Sequence, residues 1–163
     1  MTSFVETRHL PSMRLLGISG EFLGIMSAKP NGDDAIPAIW ERLFDQLELV
    51  DEFEFGWAVG VMVPSKAANA SEGQLEYFAG LVIDEAPEEH PGLELRDLDA
   101  CDYVICEHLG SLDELAETTK WFYSEYLPGS DFELKQSPHL EVYDERFDPE
   151  SNQSVVMICA PIQ

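Results

Sequence analysis

One order of patterns recurs twice along this chain of 163 residues, and it limits the fold more than any single motif does. Each half reads as a strand, a helix and then two strands. In the first half, residues 12–19 (Ser-Met-Arg-Leu-Leu-Gly-Ile-Ser) are strand-like. A loop rich in Gly, Pro, Asn and Asp follows, from Lys29 to Asp34. Ile36, Ile39, Trp40, Leu43, Phe44 and Leu47 then recur at helical spacing. Pro37 falls near the first turn, where a missing N–H does no harm. Gly56 to Val63 and Glu76 to Ile83 predict two strands, separated by a polar loop from Ser65 to Gln74. The acidic, proline-bounded segment Asp84 to Pro91 reads as a linker.

The second half repeats the order. Tyr103 to His108 predicts a strand, and Ser111 and Glu114 have the spacing of a capping box. In that motif the two side chains satisfy each other's exposed backbone N–H groups at a helix start. The helix is expected to run to about Leu127 and to stop at Pro128-Gly129. His139 to Glu145 and Ser154 to Ile162 close the half as strands, joined by the turn Asp148-Pro149-Glu150-Ser151-Asn152. The expected class is α+β, a duplicated β-α-β-β unit with two main helices and antiparallel sheet. A single domain covers 1–163, with repeat 1 at about 12–84, a linker at 85–101 and repeat 2 at about 102–163. The repeat rests on the order of elements, because the halves share little identity.

Composition narrows the class further. Hydrophobic residues make up 45%, with three Trp, nine Phe and five Tyr, which is ample for a core. A chain of this length buries roughly two thirds of the surface it would expose unfolded. No stretch approaches the roughly 20 apolar residues needed to span a bilayer. The start, Met1-Thr2-Ser3-Phe4-Val5-Glu6, lacks the basic and apolar regions of a signal peptide, so a cytoplasmic protein is expected. Cys101, Cys106 and Cys159 are too few for a disulfide framework, and the CxxxxC spacing has no second Cys/His pair to complete a zinc site. The four histidines (His9, His90, His108, His139) share no short spacing, so no metal or other cofactor is expected.

Thirty-two acidic residues against nine basic ones give a formal net charge of −23. A field of that sign repels phosphate backbones and anionic membranes. It attracts cations or a basic protein surface, and it also serves solubility or life in a salty cytoplasm.

Several stretches resemble the GyrI-like family, the effector-binding domain also found at the C-terminus of AraC- and MerR-type multidrug regulators. They begin with Glu6-Thr7-Arg8-His9-Leu10-Pro11, the helix 37–44 (Pro-Ala-Ile-Trp-Glu-Arg-Leu-Phe) and the strand Leu75-Glu76-Tyr77-Phe78-Ala79-Gly80. They continue with Glu107-His108-Leu109-Gly110-Ser111, Tyr123-Ser124-Glu125-Tyr126-Leu127-Pro128, Pro138-His139-Leu140-Glu141-Val142-Tyr143 and the ending Ala160-Pro161-Ile162. The resemblance spans essentially the whole chain, in order. It implies two β-α-β-β halves in pseudo-twofold relation around a central ligand cleft, with a buried glutamate that receives lipophilic cationic drugs. With no helix-turn-helix segment in the sequence, a stand-alone binding module is expected.

Glu141 matches the family's ligand-pairing glutamate. Strand alternation sets Leu140 and Val142 apart from Glu141 and Tyr143. Leu140 and Val142 are expected to face the helices, and Glu141 and Tyr143 the cleft. Without the resemblance, Glu141 would read as one more exposed acid. The last strand is apolar on both faces, so something should cover each. Relatives often carry a second acid where this chain has Met157 and an aromatic where it has Cys159, and Met157 suits an adaptable wall. Trp40, Phe44, Trp57, Phe78 and Tyr126 complete the ligand-binding candidates, each also readable as core. Phe78 is the duplicate of Met157 when the final strands of the two halves are aligned. Trp121 falls opposite the apolar stripe of Leu115, Phe122 and Tyr126 and is expected to be exposed.

Three functions follow. The first is capture or sensing of a lipophilic cation, without catalysis. The second is hydrolysis of strained, cyclopropane-bearing compounds, proposed for some relatives. Met157 disfavours it by removing one of two acids, unless Glu107 or Glu76 substitutes. The third is an acidic interaction protein acting on DNA gyrase. Edge strands could pair in a homodimer.

Overall fold

The computed structural model describes residues 2–24, 27, 29–67, 69–70 and 73–163, with residues 2, 3 and 33 described by backbone only. Met1 and parts of the two first-half loops lie outside the described residues. The chain divides into two compact units, one of residues 13–98 and one of residues 1–12 with 99–163.

The first repeat forms β2 (Met13–Leu23), α1 (Gly32–Leu47), β3 (Ala58–Pro64) and β4 (Gln74–Ile83). All pairings are antiparallel, with β4 between β3 and β2. A further strand, β5 (Glu94–Leu98), pairs with the outer side of β2. It lies inside the segment expected to be a linker. Five residues, three of them charged, are too short a signal to separate from loop.

Helix α1 packs Ile39 and Leu43 against Phe22, Tyr77, Ala79 and Leu81. Alternate residues of β4 therefore face the helix, and Phe78 between them faces away. Phe44 is 54% exposed, although helical spacing placed it on the apolar face. The buried stripe is centred on Ile39 and Leu43, which leaves Trp40 and Phe44 on its flank.

The second repeat forms β6 (Cys101–Leu109), a 3-10 turn (Leu112–Glu114) and α2 (Leu115–Trp121) that continues as a π turn (Phe122–Tyr126), then β7 (His139–Tyr143) and β8 (Val155–Pro161). β8 lies between β6 and β7, again all antiparallel. The N-terminal segment adds β1 (Thr2–Leu10) beside β6, with Val5 opposite Cys106. Each unit is thus one repeat plus a strand from outside that repeat, set beside its first strand.

Ser111 stands at the N-cap, but its side chain makes no capping bond. Its carbonyl oxygen instead accepts from the Nε2 of His108 at 2.9 Å, and the Nδ1 of His108 lies 2.7 Å from Thr118 Oγ1. The buried His108 fixes the start of the helix from the sheet side. The π turn is closed by Leu127 N–H donating to Phe122 O at 2.9 Å. A turn of this pitch brings residues five apart onto one side. Trp121 and Tyr126 consequently meet at 5.5 Å, and Trp121 is partly buried against the core rather than exposed. The core joins Val104, Cys106, Phe122, Leu127, Ile158 and Ala160. All three cysteines are buried free thiols. No helix among the described residues is long and apolar enough to cross a membrane.

Candidate functional site

Register decides which way β7 faces. Glu141 pairs with Ile158, and Ile158 pairs with Cys106. Cross-strand partners share a face, and Ile158 and Cys106 pack with Phe122 and Leu127. Glu141 is therefore on the helix-covered face. His139 and Tyr143, two residues away on either side, share it. Leu140 and Val142 pair with Cys159 and Met157 and point the other way. This reverses the expectation that Leu140 and Val142 face the helices. Leu140, Glu141 and Val142 are all buried, so burial does not separate the two sets, and register does.

Glu141 is 7% exposed, and Tyr143 Oη donates to its Oε1 at 3.0 Å. A buried carboxylate without hydrogen bonds is costly, and this donor lowers the cost. The Tyr143 ring meets Phe147 edge-on at 4.8 Å, which limits its movement. At the other end of β7, Tyr123 Oη and His139 Nδ1 are 2.8 Å apart, with ring centroids at 5.4 Å. Burial holds the His139 imidazole below its ordinary value. Burial likewise raises the Tyr123 phenol, and the acidic groups near it add to that rise. The row thus sets the Glu141 carboxyl beside the Tyr143 phenol, with the Tyr123 phenol and an imidazole biased towards neutrality at its other end.

Neither Tyr123 nor His139 was among the candidates. Both lay within stretches that carried the family resemblance, and His139 has the strand parity of Glu141. Tyr126, the candidate from the helix end, stacks on Phe122 at 5.8 Å as part of the core edge.

In the other unit, Trp40 Nε1 donates to Tyr77 Oη at 3.0 Å. The two rings meet edge-on at 6.2 Å, and Phe44 stacks on Trp40 at 6.3 Å. Trp57 lies just before β3, where its carbonyl oxygen accepts from Val82 N–H at 2.8 Å. Met157 and Phe78 are both fully buried, and each lies on the face of its sheet turned away from the helix. Met157 therefore does not share a face with Glu141. Arg8 Nη1 reaches Met157 Sδ at 3.4 Å, and the Arg96 guanidinium sits 4.4 Å above the Phe78 ring. The duplicated positions thus hold matching arrangements, an arginine over a large apolar side chain.

Glu107 and Glu76, the acids that could have replaced a missing catalytic partner, are engaged elsewhere. Glu107 meets Arg146 at 2.5 Å and Glu76 meets Arg96 at 2.5 Å. Glu107 pairs with Met157 and so faces away from Glu141. Among the described residues, no group of three or more His, Cys, Asp or Glu is positioned to hold a metal ion.

Antiparallel strands joined in one eight-stranded sheet, with a helix in each unit and a buried glutamate among aromatics in one of them, make an α+β fold. The chain belongs to the GyrI-like family, as its model, the GyrI-like small molecule binding domain, matches residues 3–163. It is 27% identical over 123 residues to the transcriptional regulator BrlR of Pseudomonas aeruginosa. That match covers 72% of this chain but only 44% of the regulator. The fold matches SAV2435 bound to tetraphenylphosphonium with TM-score 0.71 and 17% identity, covering 98% of this chain and 94% of that one. It also matches the C-terminal domain of EcmrR with TM-score 0.70 and 11% identity, covering 100% and 99%.

Proposed function

We propose that this domain binds lipophilic organic cations, with Glu141 supplying the counter-charge, and acts as a sensing or sequestering module. The observation that carries the reading is the buried carboxylate of Glu141, held by Tyr143 on the helix-covered face of β7. The tetraphenylphosphonium bound to SAV2435, a protein of similar fold, supports this ligand class.

The physical account has three parts. A cation about 4 Å from the carboxylate, at an effective dielectric near 20, gains roughly 4 kcal/mol of gross attraction before desolvation. A cation over an aromatic face adds about 0.5–2 kcal/mol. Apolar burial supplies the rest, so a flat, greasy cation is preferred to a small amine. Catalysis is not part of the proposal. A hydrolase would need a second acid acting with Glu141, and Glu107 is turned to the other face and paired with Arg146.

Fluorescence titration with rhodamine 6G at two salt concentrations tests the reading. Glu141→Gln should weaken binding by about 1–3 kcal/mol, roughly tenfold or more, and barely affect an uncharged analogue. Equal losses for both compounds would refute the ion pair. Binding that disappears with salt whatever stands at position 141 would move attention to the acidic surface.

A further inference from the structure

The two outermost strands of the sheet, β1 and β5, guard their free edges very differently. β5 is five residues long and three of them are charged, with Arg96 paired to Glu94 and Asp97 to Arg14. Short, charged edges of this kind resist the addition of another strand. β1 is nine residues long and contains neither Pro nor Lys. Its inner side pairs with β6, and among the described residues no strand lies along its outer side. From Phe4 to Leu10 it carries one acid, Glu6, and one arginine, Arg8. This edge is therefore balanced in a chain of formal net charge −23. Phe4, Thr7, Arg8 and His9 are all exposed.

We infer that β1 pairs antiparallel with β1 of a second copy, around a two-fold axis at Thr7. Residues opposite each other in an antiparallel pair share a face, so a two-fold pairing joins residues of one parity and is centred on a residue. Centring on Glu6 or on Arg8 sets like charges directly opposite each other, which is destabilising. Centring on Val5 sets Glu6 opposite Phe4 and Arg8 opposite Thr2. Thr7 is the one centre that sets Glu6 of each copy opposite Arg8 of the other. It also brings Phe4, 59% exposed in the single chain, opposite Leu10 of the second copy.

Glu6 and Arg8 already form an ion pair within the strand, two residues apart on one face. In the pair of copies, these two ion pairs become a square of alternating charges. Arg8 is held for that role from the sheet side, its Nη1 3.4 Å from Met157 Sδ. The outward N–H and C=O groups of β1 supply the main-chain hydrogen bonds, as for any strand added to a sheet edge. The order Glu-Thr-Arg is complementary to itself when reversed, so the strand that fits this edge best is its own copy.

The test has two arms. Sedimentation velocity of the full chain over a concentration series, at about 0.15 M salt to screen charges more than about 8 Å apart, should show a reversible monomer–dimer equilibrium. Glu6→Arg and Arg8→Glu should each weaken it by about tenfold or more. An equimolar mixture of the two variants should recover the dimer, because every arginine then meets a glutamate across the axis. The second arm leaves both charges in place. Directly opposed residues have Cα atoms about 4.5–5.5 Å apart, within the span of a disulfide. The three native cysteines are buried. Mild oxidation should therefore link Thr7→Cys chains in pairs, while Val5→Cys and His9→Cys chains link only when mixed with each other.

A monomer at every concentration would overturn the proposal and leave the edge to an unlike strand. A dimer indifferent to both charge changes, or one that Thr7→Cys does not trap, would place the contact on another surface and overturn it equally. Neither result bears on the cation site.

Discussion

Strands β3 and β7 occupy the same place in the two repeats, yet they carry opposite chemistry towards their helices. With Phe78 aligned on Met157, register makes Gly60 the counterpart of Glu141, since Gly60 pairs with Ala79 as Glu141 pairs with Ile158. Ala58 and Met62 then correspond to His139 and Tyr143. One strand presents Ala-Gly-Met to its helix at alternate positions, the other His-Glu-Tyr. The reason is local. A Cβ on Gly60 would lie 2.0 Å from Tyr77 Oη, so the missing side chain is the space the tyrosine hydroxyl occupies. Tyr77 uses that space to accept from Trp40 Nε1. The first unit uses the position to pack an aromatic pair, and the second uses it to hold a buried acid. A repeated scaffold thus fixes where a group can stand without fixing what it is.

The largest expected effect that would sharpen this contrast is at Gly60. Gly60→Ala forces a methyl onto the fully buried Tyr77, and overpacking of this kind costs about 1–3 kcal/mol. Urea unfolding should report that loss, and an unchanged midpoint would mean the strands separate freely and the space is not reserved for Tyr77. Tyr77→Phe should cost less, about 0.5–1.5 kcal/mol, by removing the acceptor for Trp40 Nε1. Combined with Gly60→Ala it should cost less than the sum of the two, since the hydroxyl, the nearest of the clashing atoms, is gone. Strict additivity in that double-mutant cycle would separate the two residues.

The smallest effect concerns acid stability in the other unit. His139 has a folded-state pKa below its unfolded value of about 6.5. Its contribution to stability is therefore complete above that value and is lost as the pH falls through the folded pKa. His139→Gln should unfold with a shallower dependence on pH below 6.5 than wild type, measured by thermal melting in a pH series. A slope equal to that of wild type would show that His139 is not held neutral by the fold.

Much of the architecture was readable from pattern. Both helices and six of the eight strands lie where periodicity and turn residues predicted them, because each is a run rich in apolar residues bounded by polar or turn-forming segments. The N-terminal strand and β5 were not read, since each is made by pairing with a strand from elsewhere in the chain. The capping box was misread for a related reason. Ser111 is drawn into a bond with His108, a partner visible only once β6 lies under α2. At the site, Glu141 and Tyr143 were named together and are bonded to each other. Tyr123 was passed over for Tyr126, because a regular helix gives no sign of the π turn that shifts their angular positions.

The sequence by itself determined the order of elements, their types and the division of each strand into two sets of side chains. It also determined that both sets on β8 would be apolar enough to be buried. Only the tertiary structure decided which set the helix covers. A period of two separates alternate residues without labelling the sides, and the label comes from register, when Glu141 is paired to Ile158 and Ile158 to Cys106 beneath Phe122.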